Sequence, residues 1–194
     1  MGESDRPIAI VDADNRAIGE ATRSEMHVRQ LWHRACHCIV HDGRGRIYLS
    51  QRDDVVCRDR WDVSLTEHLR AGESFEQCAE RGLARRLGVS GARPHPISEV
   101  FADRDLHDGG EEYGGRAIAD YRFMQLFALE YAGPIGFDRR VYKAGQWHAI
   151  AEVDALIASD PERFTPHFRK DWLRIRPVLV RGPGDAAPVA ALEV

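Results

Sequence analysis

The sequence lacks long hydrophobic runs: no stretch approaches the roughly 18 consecutive apolar residues typical of a membrane span. The N-terminus also lacks a basic segment followed by an apolar one, so no secretory signal is expected. These two absences predict a cytoplasmic protein that has no membrane partner.

Cysteine is scarce too, with four residues at irregular spacing. They are too few for a disulfide-stabilised scaffold, and a reducing compartment is the simplest setting. The net charge of -4 lacks the basic excess of a nucleic-acid-binding protein. No motif for an organic cofactor stands out. We therefore expect a small anionic metabolite as the partner and no nucleic acid; a homodimer is compatible with these features.

What remains is ordinary globular composition, 43% hydrophobic and 30% charged over 194 residues. This predicts one α/β domain at 1–181, and a disordered tail rich in Ala, Pro and Gly at 182–194. The polar, Gly-rich segment 103–116 is predicted to be a mobile lid. Strands are predicted at 7–11, 16–19, 34–41, 46–52, 61–65, 97–101, 117–131 and 146–150, and helices at 22–31, 74–87, 151–159 and 166–180.

The helix at 74–87 has the clearest signals. Ser74 and Gln77 have the spacing of a capping box, and Gly88 is placed to end the helix. Apolar side chains recur at helical spacing and predict one buried stripe. The stripe consists of Phe75, Cys78, Ala79, Leu83 and Leu87.

Residues 67–89 have the spacing of the Nudix box, a loop–helix–loop that holds divalent metal for diphosphate hydrolysis. Positions that fit the box are Glu73, Arg81, Leu83, Gly88 and Val89. The first glycine of the box is Glu67 here, and the three metal-ligand glutamates are replaced by Gly82, Arg85 and Arg86. Because magnesium prefers oxygen ligands, we predict that the usual box metal site is lost.

From residue 8 to residue 178 the chain resembles the Nudix branch that includes type I isopentenyl-diphosphate isomerase and related bacterial hydrolase-like proteins. The segments that carry the resemblance are 27–40, 45–52, 60–74, 120–123 and 161–168. The resemblance implies an α/β/α sandwich with a mixed β-sheet. It also implies magnesium or manganese as cofactor and hydrolysis of a nucleoside or isoprenoid diphosphate as the default reaction.

In the isomerase, three histidines and two acidic residues hold one metal ion. The matching positions in this sequence are His27, His33, His68 and Asp120. The second acid, which is also catalytic in the isomerase, is Arg122 here, and the catalytic cysteine is Thr66. Moving a proton across an allylic system needs both of those missing groups, so isomerase activity is not expected.

The arginines have two interpretations. Arg85 and Arg86 either bind phosphate or carboxylate through their guanidinium groups, or complement the helix dipole and stay solvated. Arg52 and Arg122 either add to a basic substrate pocket or are ordinary strand arginines. Trp61, which matches the aromatic that opens the pocket in this branch, either contacts substrate or belongs to the core.

The histidines also have two interpretations. Strand alternation directs His33 and His37 to one face, and Cys36 and Cys38 to the other, where they are expected to be buried apolar residues. With His27, His68 and Asp120, these two histidines form a ligand set suited to zinc, iron or manganese. Alternatively, they are hydrogen-bonded pocket or core histidines.

Two functions follow. The first is a Nudix hydrolase-like enzyme that acts on a small phosphorylated or diphosphate metabolite, with Glu73, Asp120 and Thr66 at catalytic positions. The second is a repurposed protein, either a non-hydrolytic enzyme with a histidine metal or acid/base site or a ligand-binding pseudoenzyme. Magnesium- or manganese-dependent phosphate release from a diphosphate would distinguish them.

Overall fold

The fold is described from a computed structural model, which covers residues 7–53, 57–108 and 117–181. The strands are β1 (Ile8–Val11), β2 (Ala17–Ala21), β3 (His33–His41), β4 (Arg46–Arg52), β5 (Trp61–Asp62), β6 (Leu65–His68), β7 (His95–Pro96), β8 (Phe101–Asp108), β9 (Ala117–Glu130) and β10 (Tyr142–Ala149). The helices are α1 (Arg23–Val28), α2 (Phe75–Leu87), α3 (Ile150–Ser159) and α4 (Pro166–Arg181), with a 3-10 turn at Pro161–Arg163.

Strand β3 lies at the centre of the sheet. It pairs in parallel with β9 along its whole length and antiparallel with β4, β6 and β1. Both orientations occur in one sheet, so the predicted mixed sheet is confirmed. Because β6 pairs with the first half of β3 and β4 with its end, residues of β6 lie beside the histidines of β3.

Alternation along β3 separates two cores. Cys36, Cys38 and Val40 are buried on the face covered by α2, as the sequence predicts. Ile39 lies on the opposite face, which is covered by α3 and α4. Helices on both faces of one sheet confirm the predicted α/β/α sandwich.

Helix α2 confirms the local sequence signals. The Ser74 hydroxyl oxygen accepts from the backbone amide of Gln77, and Gln77 Oε1 accepts from the backbone amide of Ser74. Gly88 ends the helix in the left-handed conformation, with φ of 67°. A non-glycine residue would be strained there, so this glycine fixes the exit from the helix.

Strand β8 differs from the structure predicted for this segment. A strand was predicted at 97–101 and a lid at 103–116, but residues 101–108 form β8, antiparallel to β9. The lid prediction is therefore wrong for 103–108, while 109–116 and the tail at 182–194 lie outside the described residues. The physical reason is that Asp103 and Asp105 are paired with Arg122 on β9, which makes a polar strand stable at this position.

The helices of the structure can be compared with the prediction that the chain has no membrane span. Within the described ranges, no helix combines the length and the apolar character needed to cross a bilayer.

Candidate functional site

Two adjoining cavities lie beside β6, one bordered by α1, the sheet and α4 and the other by α1, the sheet and α2. They share Arg23, Arg52, Thr66, Glu67 and His68. We call the one of about 50 Å³ the inner cavity; its other lining residues are His27, Ala35, His37, Ile118, Asp120, Arg122 and His167. We call the one of about 200 Å³ the outer cavity; its other lining residues are Pro7, Ile8, Arg70, Arg81, Arg85, Arg86, Arg140 and Val141.

The outer cavity is strongly basic. Seven arginines line it, and Glu67 is the one acidic residue among its described lining residues. Glu67 Oε2 lies 2.8 Å from Arg85 Nη2, 3.4 Å from Arg81 Nη1 and 3.5 Å from Arg86 Nε. Burial alone would raise the pKa of Glu67, but the three guanidinium groups outweigh it and lower this pKa. One carboxylate thus holds three arginines together.

Glu73 and Arg81 form a support for the box loop. Arg81 donates from Nε and Nη2 to the two carboxylate oxygens of Glu73, at 2.6 and 2.8 Å, and also to the carbonyl of His68. Glu73 accepts from the Arg70 amide as well. Among the described residues Glu73 lines neither the inner nor the outer cavity, and its contacts are those of a structural residue.

The Nudix box usually holds magnesium. Whether this chain could hold the ion depends on the residues at the three glutamate positions of the box. Gly82 has no side-chain ligand, and a Cβ added there would lie 2.7 Å from Leu65 Cδ2. Arg85 contacts Glu67, and Arg86 contacts both Glu67 and Asp138. Guanidinium groups cannot ligate a cation. These residues therefore do not fit the ion that the box usually holds.

The histidine cluster is compact. His33 Nε2 lies 3.5 Å from Asp120 Oδ1, and the His33 and His68 rings are 5.1 Å apart. His27 lies edge-on to His68 at 6.4 Å. Burial lowers the pKa of His33 and takes that of His68 well below its ordinary value, where repulsion from His33, Arg23 and His27 adds to the shift. Both shifts favour the uncharged form of the ring.

One of the two interpretations of this cluster is a transition-metal site. Across the described parts of the chain, no three His, Cys, Asp or Glu side chains are arranged to hold a metal ion. Asp120 is shared with the guanidinium of Arg122, whose Nε lies 3.5 Å from Asp120 Oδ2. His37 faces the inner cavity but binds Asp171. His33 Nδ1 contacts the Leu31 carbonyl oxygen at 3.1 Å, while its buried Nε2 makes no hydrogen bond to the described residues. The two interpretations of the cluster therefore stay predictions.

Arg122 is enclosed by carboxylates. It donates to Asp103 and Asp105 and lies near Asp120, while Lys170 binds the first two of these acids at 2.7 and 2.5 Å. Burial disfavours the charged form, but the three aspartates outweigh it and raise the pKa of Arg122. Its charge is therefore neutralised within the protein, although it lines the inner cavity.

Two buried histidine–carboxylate pairs lie on the α4 side of the inner cavity. His37 Nδ1 is 2.6 Å from Asp171 Oδ2, and His167 Nε2 is 2.8 Å from Asp62 Oδ2. The two rings are 5.3 Å apart. Burial lowers the pKa of His167 despite the opposing effect of Asp62.

The remaining predicted site residues divide between the two cavities and the core. Thr66 lines both cavities, as does Arg52, which binds Asp62 at 2.8 Å. Trp61 lines neither cavity in the described structure. Its ring packs edge-on against His148 at 5.1 Å and contacts the core under α3 and α4. The structure thus supports the core interpretation of Trp61.

Sequence reasoning missed several site residues. Asp62 and His167 lie in the segments that carry the family resemblance but were assigned no role, Asp171 lies outside those segments, and Arg23 lies in a helix of six residues. One signal was available: His167 and Asp171 are four residues apart on a helix and so share a face. Their partners, however, are 105 and 134 positions away in the sequence.

Comparison with known proteins agrees with this architecture. The profile of the NUDIX domain matches residues 31–168. An isopentenyl-diphosphate Delta-isomerase of Serratia proteamaculans is 35% identical over 84% of this chain and 88% of its own length. An uncharacterized Nudix hydrolase, orf19 of Rhodococcus erythropolis, is 27% identical over 87% of this chain and 91% of its own. The crystal structure of DR0079 from Deinococcus radiodurans has a TM-score of 0.61 at 16% identity, covering 80% of this chain and 90% of that one.

Proposed function

This chain belongs to the Nudix family, and from that premise we propose that it binds a small phosphorylated metabolite in the outer cavity and hydrolyses its diphosphate bond. The name of the Serratia relative, isopentenyl-diphosphate Delta-isomerase, includes a diphosphate. This supports a diphosphate as the ligand. Isomerisation itself is not proposed, because Thr66 and Arg122 stand where a thiol and a carboxylate are needed.

The observation that carries the proposal is the charge of the outer cavity. Seven arginines face it with Glu67 as the acid among its described lining. Guanidinium groups bind phosphate oxygens through paired, charge-assisted hydrogen bonds. A diphosphate is small enough for a cavity of about 200 Å³ and carries the charge that these arginines favour.

Glu67 supports the assignment of the anion contacts. Its carboxylate lies between Arg81, Arg85 and Arg86 and so illustrates how an oxygen anion contacts them. Two of these arginines stand at box positions that carry glutamate in the family. We propose that they bind the diphosphate directly, where the glutamates of other members would bind it through a cation.

The proposal is tested by phosphate release from a panel of nucleoside and isoprenoid diphosphates, with EDTA and with added magnesium or manganese. We expect release from at least one member in EDTA. The Arg85→Ala, Arg86→Ala double variant should lose it, whereas Arg176→Ala, which removes a surface arginine paired with Asp154 on α3, should retain it.

Two other outcomes would contradict parts of this proposal. Release that strictly requires a divalent cation would contradict direct binding by the arginines. Binding without release by any member would contradict hydrolysis and leave the ligand-binding protein as the function.

A further inference from the structure

The His37–Asp171 pair has the geometry of a histidine oriented by a carboxylate. Their contact of 2.6 Å involves Nδ1, and both side chains are almost completely buried. A carboxylate at this distance fixes Nδ1 as the protonated nitrogen of the neutral ring. The lone pair then lies on Nε2, and the ring lines the inner cavity.

A chain of contacts connects this pair with the basic outer cavity. The His37 ring neighbours His167, which binds Asp62, which in turn binds Arg52 at 2.8 Å. Arg52 lines both cavities. The two cavities adjoin at Arg52, so a ligand that extends from the outer cavity into the inner one reaches the imidazole.

Thr66 adds a hydroxyl at the same place. It is the direct partner of His37 across the antiparallel β3–β6 pair. Side chains of such partners lie on one face with their Cβ atoms about 5 Å apart. Thr66 and His37 both line the inner cavity, so a polar molecule there meets a hydroxyl and an imidazole together.

We propose that His37 is the proton-transferring catalytic residue of this site and that Asp171 is its positioning residue. This inference rests on the proposed function. His37 Nε2 takes a proton from a water molecule as the water oxygen forms a bond to phosphorus. The bridging P–O bond breaks, and its electron pair leaves with the departing phosphate, whose charge faces the arginines. The proton then passes from His37 to the departing phosphate or to solvent.

The first test measures the tautomer of His37 by long-range ¹⁵N–¹H NMR of protein labelled in histidine, with the signal assigned by its loss in His37→Gln. We expect the Nδ1–H form in the wild type. Asp171→Asn should shift His37 toward the Nε2–H form, because an amide can donate to Nδ1. A wild-type Nε2–H tautomer would overturn the proposal without any reference to substrate.

The second test measures turnover of the diphosphate that the panel identifies. His37→Gln and Asp171→Asn should lower kcat by about 10²- to 10⁴-fold, the usual effect of removing a general base, with KM changed less than about threefold. His148→Gln is the matched control, since this buried histidine pairs with Glu152 outside both cavities. A kcat within threefold of the wild type in His37→Gln would overturn the role.

The two proposals can fail separately. If inorganic pyrophosphate does not bind, the outer cavity is not the anion site and the proposed function fails, whatever tautomer His37 adopts. If pyrophosphate binds and the whole panel is left intact, the anion site stands and the catalytic role of His37 is overturned.

Discussion

Two ionic clusters lie on either side of the inner cavity, and their compositions are opposite. In the arginine cluster, formed by the seven arginines that line the outer cavity, Glu67 bridges Arg81, Arg85 and Arg86. Glu73 pairs with Arg81, and Asp138 with Arg86. In the aspartate cluster, Asp103, Asp105 and Asp120 surround the single guanidinium of Arg122, and Lys170 binds two of the three acids.

The difference lies in the charge that each cluster presents to an anion. Seven arginines line the outer cavity and pair, among the described residues, with four carboxylates, those of Asp62, Glu67, Glu73 and Asp138. The aspartate cluster offers an incoming phosphate three carboxylates, which repel it. We therefore assign anion binding to Arg85 and Arg86, and a structural role to Arg122.

The largest expected effect concerns the aspartate cluster. Arg122→Met removes the guanidinium from the buried carboxylates of Asp105 and Asp120 and the partly buried one of Asp103, and breaking a buried ion pair costs about 3–5 kcal/mol. We expect a loss of this size in the free energy of urea unfolding. Arg176→Met, at an exposed ion pair, should cost about 1 kcal/mol or less. Equal losses in both variants would contradict the structural role of Arg122.

The next effect concerns the arginine cluster. A hydrogen bond to a charged group contributes about 1.5–3 kcal/mol, so Arg85→Ala should weaken pyrophosphate binding by roughly ten- to a hundredfold, and Arg86→Ala likewise. Isothermal calorimetry measures this directly, with Arg176→Ala as control. Affinity that stays within twofold in both variants would place the anion elsewhere.

A change of opposite sign should come from Glu67→Gln. This variant keeps the shape of the side chain and removes the internal anion that Arg81, Arg85 and Arg86 share. The affinity for pyrophosphate should rise by about tenfold, about 1.4 kcal/mol. Weaker binding in this variant would mean that Glu67 organises the arginines more than it competes with the ligand.

The smallest effect concerns acid stability. Because the pKa of His68 is well below its ordinary value of about 6.5, the unfolded chain binds a proton that the folded one does not. Stability from this residue is complete above pH 6.5 and is lost as the pH falls below it. His68→Gln should flatten the decline in unfolding free energy between about pH 6.5 and 5.

Much of the fold could be predicted because its signals are local. The capping box of Ser74 and Gln77, the glycine that ends α2 and the alternation along β3 all act within a few residues. Strand β8 escaped prediction because its stability depends on a distant partner. Asp103 and Asp105 suggest a loop until Arg122 on β9 is placed beside them.

The site was predicted in part for the same reason. Sequence spacing located Arg85, Arg86, Thr66 and His68 beside the cavities, because the loop–helix–loop fixes where they lie. It did not reveal that Glu67 would hold three arginines, or that Asp171 would bind His37 from α4. Such pairings depend on tertiary packing, which local spacing does not encode.

The central claim is that arginines bind the anion where the family uses a metal ion. The most direct measurement is calorimetric titration of inorganic pyrophosphate into the wild-type protein in EDTA and again with magnesium. We predict stoichiometric binding in EDTA, with an affinity that magnesium does not improve. Binding that appears only when magnesium is present would contradict the claim.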